Sequence, residues 1–171
     1  HHNNRVVFGI DWKMYFGQGT ATNTGVVGKD NSWVEEHPFF HDYPGSPIML
    51  RGQNFKSSTF LDAYPRRRAI TGAYKPFGMA SCPNEIIPGT IRANGSILRA
   101  NPDGSNLELI CYGLRNPFRI QFDRCNRLFA ANHGMDIRGS RPVAESPDEF
   151  QLIRPNCWYG WPDYPGGLPV T

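Results

Sequence analysis

The chain reads as all-β, and three observations carry that expectation. Apolar and polar residues alternate over short runs instead of recurring at helical spacing, 18 Gly and 15 Pro interrupt long helices, and three hairpin-like segments repeat one theme. With 39% apolar and 13% aromatic residues over 171 positions, the chain has material for one ordinary core, which argues against disorder.

The first hairpin is predicted over 5–17, a strand, a polar turn and a strand closed by Gly17. The second spans 96–110 around Asn-Pro-Asp-Gly at 101–104, where proline presets the turn and Gly104 relieves its strained position. The third spans 118–130 around another Asp-to-Asn turn. Val6, Phe8, Lys13 and Tyr15 fall over Ile120, Phe122, Arg127 and Phe129 at a separation of 114 residues. A repeat of hairpins at long range favours a propeller over a sandwich, and at about 40 to 50 residues per blade the chain holds three or four. A closed ring takes more, so the expectation is a piece of a larger propeller or a chain completed by a partner. Between the first two hairpins lies an irregular insert at about 20–95, rich in Pro, Gly and Asn. Its small polar start, 20–25, reads as a loop at one end of the strands, and 30–38 as one short helical turn.

Candidate chemistry gathers near 113–162. In Gly-Leu-Arg-Asn-Pro at 113–117, proline fixes the backbone and holds Arg115 beside Asn116: a five-donor fork and an amide for ligand oxygens, or else an arginine paired with a nearby acid and an asparagine capping a turn. Asn-His-Gly-Met-Asp at 132–136 follows a strand directly. Its glycine lets carbonyls turn outward as calcium takes them, or the turn packs His133 on an aromatic ring. The run 147–153 alternates as a half-buried strand, so Glu149 either supplies a metal carboxylate or faces water. The aromatic cluster at 156–162 either anchors a loop or binds. His1 and His2 are of the type that abstracts a proton near neutrality, or a tag remnant; the strand-like continuation through Val6 favours the former.

A net charge of +3, with Arg66, Arg67 and Arg68 the one basic run, argues against nucleic acid. No stretch approaches the roughly 20 apolar residues of a membrane span, and no signal peptide opens the chain. Cys82, Cys111, Cys125 and Cys157 lack metal-binding spacing. Cys111 and Cys125 either face each other across a hairpin or pack as small apolar groups.

Taken in order, Gly-Leu-Arg-Asn-Pro, His133-Gly134, Asp148-Glu149 and Tyr-Gly-Trp-Pro at 159–162 resemble the soluble quinoprotein glucose and sorbosone dehydrogenases, closest to the sorbosone-dehydrogenase-like branch. The resemblance covers nearly the whole chain and is weakest through 35–85. It implies a six-bladed propeller, periplasmic or extracellular, that carries pyrroloquinoline quinone and Ca2+ over its central channel. Arg115, Asn116 and His133 match positions that contact the cofactor, the carbonyls of Gly134 and Met135 match calcium ligands, and Glu149 and Tyr159 match positions used for a further calcium. Many relatives carry proline where this chain has Met135, and a longer loop at 137–146 precedes Asp148. The gap-free match for the catalytic base is His1, with His2 as the alternative. The implied reaction is hydride transfer from an aldose or sorbosone-like sugar to the quinone, with Arg115 steadying charge on the reduced cofactor and an external electron acceptor completing the cycle. The family's basic residues for the quinone carboxylates come mostly from later blades, so the resemblance implies either that the remaining blades come from a missing segment or another chain, or that the sequence is an incomplete product without activity. The alternatives are a non-catalytic calcium- or carbohydrate-binding propeller module and a propeller sugar lactonase.

Overall fold

A computed structural model describes residues 3–61 and 67–170, so His1, His2 and Arg66 lie outside the described residues. The described chain is all-β: β1 (Asn3–Phe8), β2 (Met14–Gln18), β3 (Ile48–Met49), β4 (Asn54–Ser58), β5 (Arg68–Gly72), β6 (Ile86–Ile87), β7 (Ser96–Ala100), β8 (Glu108–Tyr112), β9 (Asn116–Phe122), β10 (Leu128–His133) and β11 (Glu149–Leu152). The short helical turn expected within 30–38 is a 3-10 turn, Ser32–Val34. No helix among the described residues is long and apolar enough to cross a membrane.

All three hairpins form, and the 114-residue repeat holds at the level of hydrogen bonds. Phe8 pairs with Met14 and Val7 with Tyr15; 114 positions later Phe122 pairs with Leu128 and Gln121 with Phe129. The two turns close alike, Gly9 N to Lys13 O at 3.1 Å and Asp123 N to Arg127 O at 3.0 Å. Each places one residue in the left-handed region, Trp12 at φ 57° and Asn126 at φ 58°.

Tertiary pairing then changes what the hairpins mean. β2 pairs antiparallel with β7 from Met14↔Ala100 to Gln18↔Ser96, so the first two hairpins are halves of one four-stranded sheet, β1-β2-β7-β8. They are not separate units. The third hairpin adds β11 to make a second sheet, β11-β10-β9. Val7, Ile97, Ile110, Cys111, Leu114, Ile120, Leu128, Ala130 and Ile153 form the core that joins these sheets, with Tyr15 set edge-on to Phe122 at 5.1 Å.

The insert leaves between β2 and β7 and is more ordered than an irregular loop. It contains two small antiparallel pairs, β3–β6 and β4–β5, and it carries Tyr74 and Ile87 into a second core with Met135, Val143 and Trp161. Its polar start is buried instead of lying open at the strand ends. Asp42 makes this possible, accepting hydrogen bonds from Ala21 N at 2.7 Å, Thr22 N at 2.9 Å and the Thr22 hydroxyl, so burial leaves those donors satisfied.

All four cysteines are free thiols. Cys111 points into the core from β8 while Cys125 sits exposed in the β9–β10 turn, so they do not face each other across a hairpin. Burial pushes the Cys111 thiol up to about 12.

Candidate functional site

The turn 113–117 and the turn 132–136 meet because β9 and β10 pair to their ends, His133 opposite Asn116, with an irregularity at Ala131/Asn132. Asn132 joins them. Its side-chain oxygen accepts from Arg115 N at 3.1 Å and Asn116 N at 2.9 Å, and its amide donates to Glu149 at 2.8 Å.

Asn116 and His133 are in direct contact. The Asn116 amide nitrogen lies 3.2 Å from His133 Nδ1, and Asn116 Oδ1 accepts from Asn4 at 3.1 Å. The Asn4 bond turns the Asn116 amide nitrogen toward Nδ1. The His133 ring stacks on Phe118 at 4.8 Å and 18°, and Phe118 is itself 54% exposed. The aromatic packing weighed for His133 is thus present, and it holds the ring flat beside Asn116.

Arg115 is placed differently. It is 4% exposed, and its guanidinium bonds Asn23 O at 3.3 Å, Asn23 Oδ1 at 2.9 Å and Asp136 at 2.7 Å. The fork therefore faces inward, in the acid pairing weighed as the other reading of this arginine. Burial draws its pKa below the ordinary arginine value, with the nearby Asp136 carboxylate opposing that shift. Asn23 is the hub that sequence reasoning missed: it also bonds both backbone groups of Asp136, at 2.7 and 2.9 Å, and accepts from the Trp161 indole at 3.2 Å. Its only sequence signal is the small polar run at 20–25.

Arg115, His133, Gly134, Met135, Glu149 and Tyr159 all line one cavity of about 10 Å³. That is room for one water or one bare ion and no organic group. Its donors divide in their fit to calcium, which takes six to eight oxygens. Gly134 and Met135 donate through their backbone nitrogens to Asp148 and Ser146, both at 2.9 Å, and their carbonyls accept no hydrogen bond among the described residues. Those two carbonyls have acceptor capacity for an ion and would supply two of its six to eight oxygens. Glu149 and Tyr159 fit it poorly, because Glu149 already accepts from Asn132 and Gly166 N, while the Tyr159 hydroxyl bridges Leu152 O and Arg154 N, each at 2.8 Å. Toward a quinone, the accessible groups are the half-buried His133 and the exposed Phe118 ring, whereas Asn116 and Arg115 are both buried. Comparison of the chain with family models, curated proteins and solved structures returned no match.

Proposed function

We propose that this chain is part of a six-bladed propeller quinoprotein that oxidises an aldose or sorbosone-like sugar by hydride transfer to pyrroloquinoline quinone, assisted by Ca2+. The observation that supports it most is the meeting of Asn116, His133, Gly134 and Met135 at one end of the β9–β10 hairpin, with two successive carbonyls that accept no hydrogen bond among the described residues. The four-stranded sheet and the three-stranded sheet packed on it are then one blade and most of the next. Further blades come from other sequence or another chain, and a periplasmic or extracellular setting goes with this reading.

The chain's own residues divide the work. Asn116 holds its amide against His133 and orients that ring. Gly134 and Met135 present the carbonyls that hold calcium. Arg115 acts as a positioning residue, clamping the 134–136 turn through Asn23 and Asp136. His1, or His2, accepts the proton of the sugar's anomeric hydroxyl; along the chain it lies just ahead of Asn4, which bonds both Asn116 and Pro117 O. When bound, the quinone supplies the hydride acceptor and calcium a Lewis acid.

One observation favours the second reading, a non-catalytic calcium- or carbohydrate-binding propeller module: the Arg115 fork is already held by Asn23 and Asp136. Reconstitution separates the two. With calcium and pyrroloquinoline quinone added to the native polypeptide, sugar-dependent dye reduction is expected, falling roughly 10- to 100-fold in kcat/KM for Asn116→Ala and His133→Ala and further for His1→Ala. Absence of quinone binding to the native protein overturns the dehydrogenase reading, and full turnover by His1→Ala removes its role as base.

A further inference from the structure

A second cavity, of about 380 Å³, lies between the insert and the Tyr-Gly-Trp-Pro loop, and its lining shares Trp161 alone with that of the small cavity at the carbonyl turn. Its size falls within the roughly 300 to 1,000 Å³ of small-molecule sites. Tyr74, Tyr112, Trp158 and Trp161 contribute its aromatic wall, and Arg51 and Asp163 stand at its edge.

The wall is rigid. Backbone bonds from Tyr112 N to Cys157 O at 3.2 Å, Tyr159 N to Tyr112 O at 2.9 Å and Trp161 N to Gly113 O at 2.7 Å lace the loop to the end of β8. The Trp158 indole donates to Trp161 O at 3.2 Å, yet the residue keeps 46% of its surface open. It lies directly on Gly113, where a Cβ would stand 2.2 Å from the indole ring.

Tyr74 is the decisive side chain. It is only 4% exposed and sits edge-on to Trp161 at 5.8 Å, in the left-handed region at φ 54° that bulky residues rarely occupy. Its hydroxyl makes no hydrogen bond among the described residues and is not sealed from solvent, so its remaining access is to the cavity it lines. Burial and the nearby Asp42 and Asp163 charges raise its pKa well above the ordinary value, which keeps it a donor. Other capacity is also unused. The Tyr112 hydroxyl is unbonded among the described residues, Asp163 gives one oxygen to Arg141 at 2.8 Å and keeps the other, and Arg51 donates to the Tyr164 hydroxyl at 3.1 Å with donors to spare.

An aromatic wall with donors and an acceptor at its edge suits a ring that has a C–H face and peripheral hydroxyls. A purely apolar ligand would leave the Tyr74 hydroxyl and the Asp163 oxygen stranded. Arg51 and Asp163 carry opposite charges, so a charged ligand gains no net attraction. We propose that this cavity binds a neutral pyranose ring, stacked on Trp158 and hydrogen-bonded by Tyr74, independently of the turns at the end of β9 and β10.

The test titrates cellobiose, maltose and lactose into the protein without quinone or calcium, following tryptophan fluorescence and thermal shift. At least one sugar is expected to saturate below about 10 mM, a plausible limit for a site with one stacked ring. Trp158→Ala is expected to abolish that response and Tyr74→Phe to weaken it at least about fivefold, the loss of one hydrogen bond. Because the Tyr74 hydroxyl makes no hydrogen bond among the described residues, Tyr74→Phe is expected to keep the thermal midpoint, while Asn116→Ala keeps the sugar affinity. No saturable binding, binding unchanged in Tyr74→Phe, or binding lost in Asn116→Ala each overturns the proposal, as does a lowered midpoint in Tyr74→Phe. Since neither quinone nor calcium is present, its failure leaves the dehydrogenase reading standing.

Discussion

Replacing Arg115 by methionine separates a buried clamp from a ligand-facing fork. The substitution keeps an apolar stem and removes two charge-assisted hydrogen bonds to Asn23, at 2.9 and 3.3 Å, and one ion pair to Asp136. Each bond from a charged donor contributes at least about 1.5 kcal/mol. Asn23 Oδ1 keeps its bond from Asp136 N, and Asn23 O keeps the Trp161 indole, so neither acceptor is orphaned. The Asp136 side chain is 56% exposed, which limits its pairing to about 1 kcal/mol, and removing a buried charge returns a similar amount of desolvation. The sum is a loss of about 3 kcal/mol. With a urea dependence of roughly 2 kcal/mol per molar, the unfolding midpoint falls by about 1.5 M at unchanged slope. A fork free to meet a cofactor would behave as a surface group, within about 0.5 kcal/mol. A midpoint shift under about 0.3 M therefore refutes the clamp.

Gly95→Ala is expected to destabilise by about 3 kcal/mol or more, since φ is 62° and the new Cβ would stand 1.9 Å from Leu114 O, whereas Gly104→Ala at φ 84° meets nothing within 4 Å and loses only the roughly 1 kcal/mol of left-handed strain; equal melting temperatures would sink the distinction. A thiol reagent at neutral pH is expected to label the exposed Cys82 and Cys125 in the native protein and to reach Cys111 only on unfolding, as peptide mass mapping would show; native labelling of Cys111 contradicts its packing. Glu108 is held below its ordinary carboxyl value by Lys13 first and Arg99 second, so its contribution is present above the unfolded value of 4.5 and lost as pH falls through the lower native one. Glu108→Gln is accordingly expected to flatten the acid side of a stability-versus-pH curve, and an unchanged slope would exclude that pairing as a source.

Much of this molecule is legible because turn chemistry acts over four or five residues. Asp123 through Arg127 can be read as a turn from its own side chains, and the 114-residue offset to Gly9 through Lys13 is matched by equivalent cross-strand registers in the structure. Gathering of Asn116 with His133 follows from the same hairpin. Arg115 is the counterexample, since its residue type suits a ligand or an acid equally well and its partner Asn23 lies 92 positions away. The joining of β2 to β7 across the insert, the burial of Thr22 under Asp42, and the inward face of Cys111 are of the same kind. By itself the sequence determined the all-β class, the three hairpins and the offset that relates the first to the third. Only the tertiary structure decided which hairpins share a sheet and which way Arg115 faces, because those choices rest on burying polar groups with partners remote in the chain, and local alternation carries no record of who the partners are.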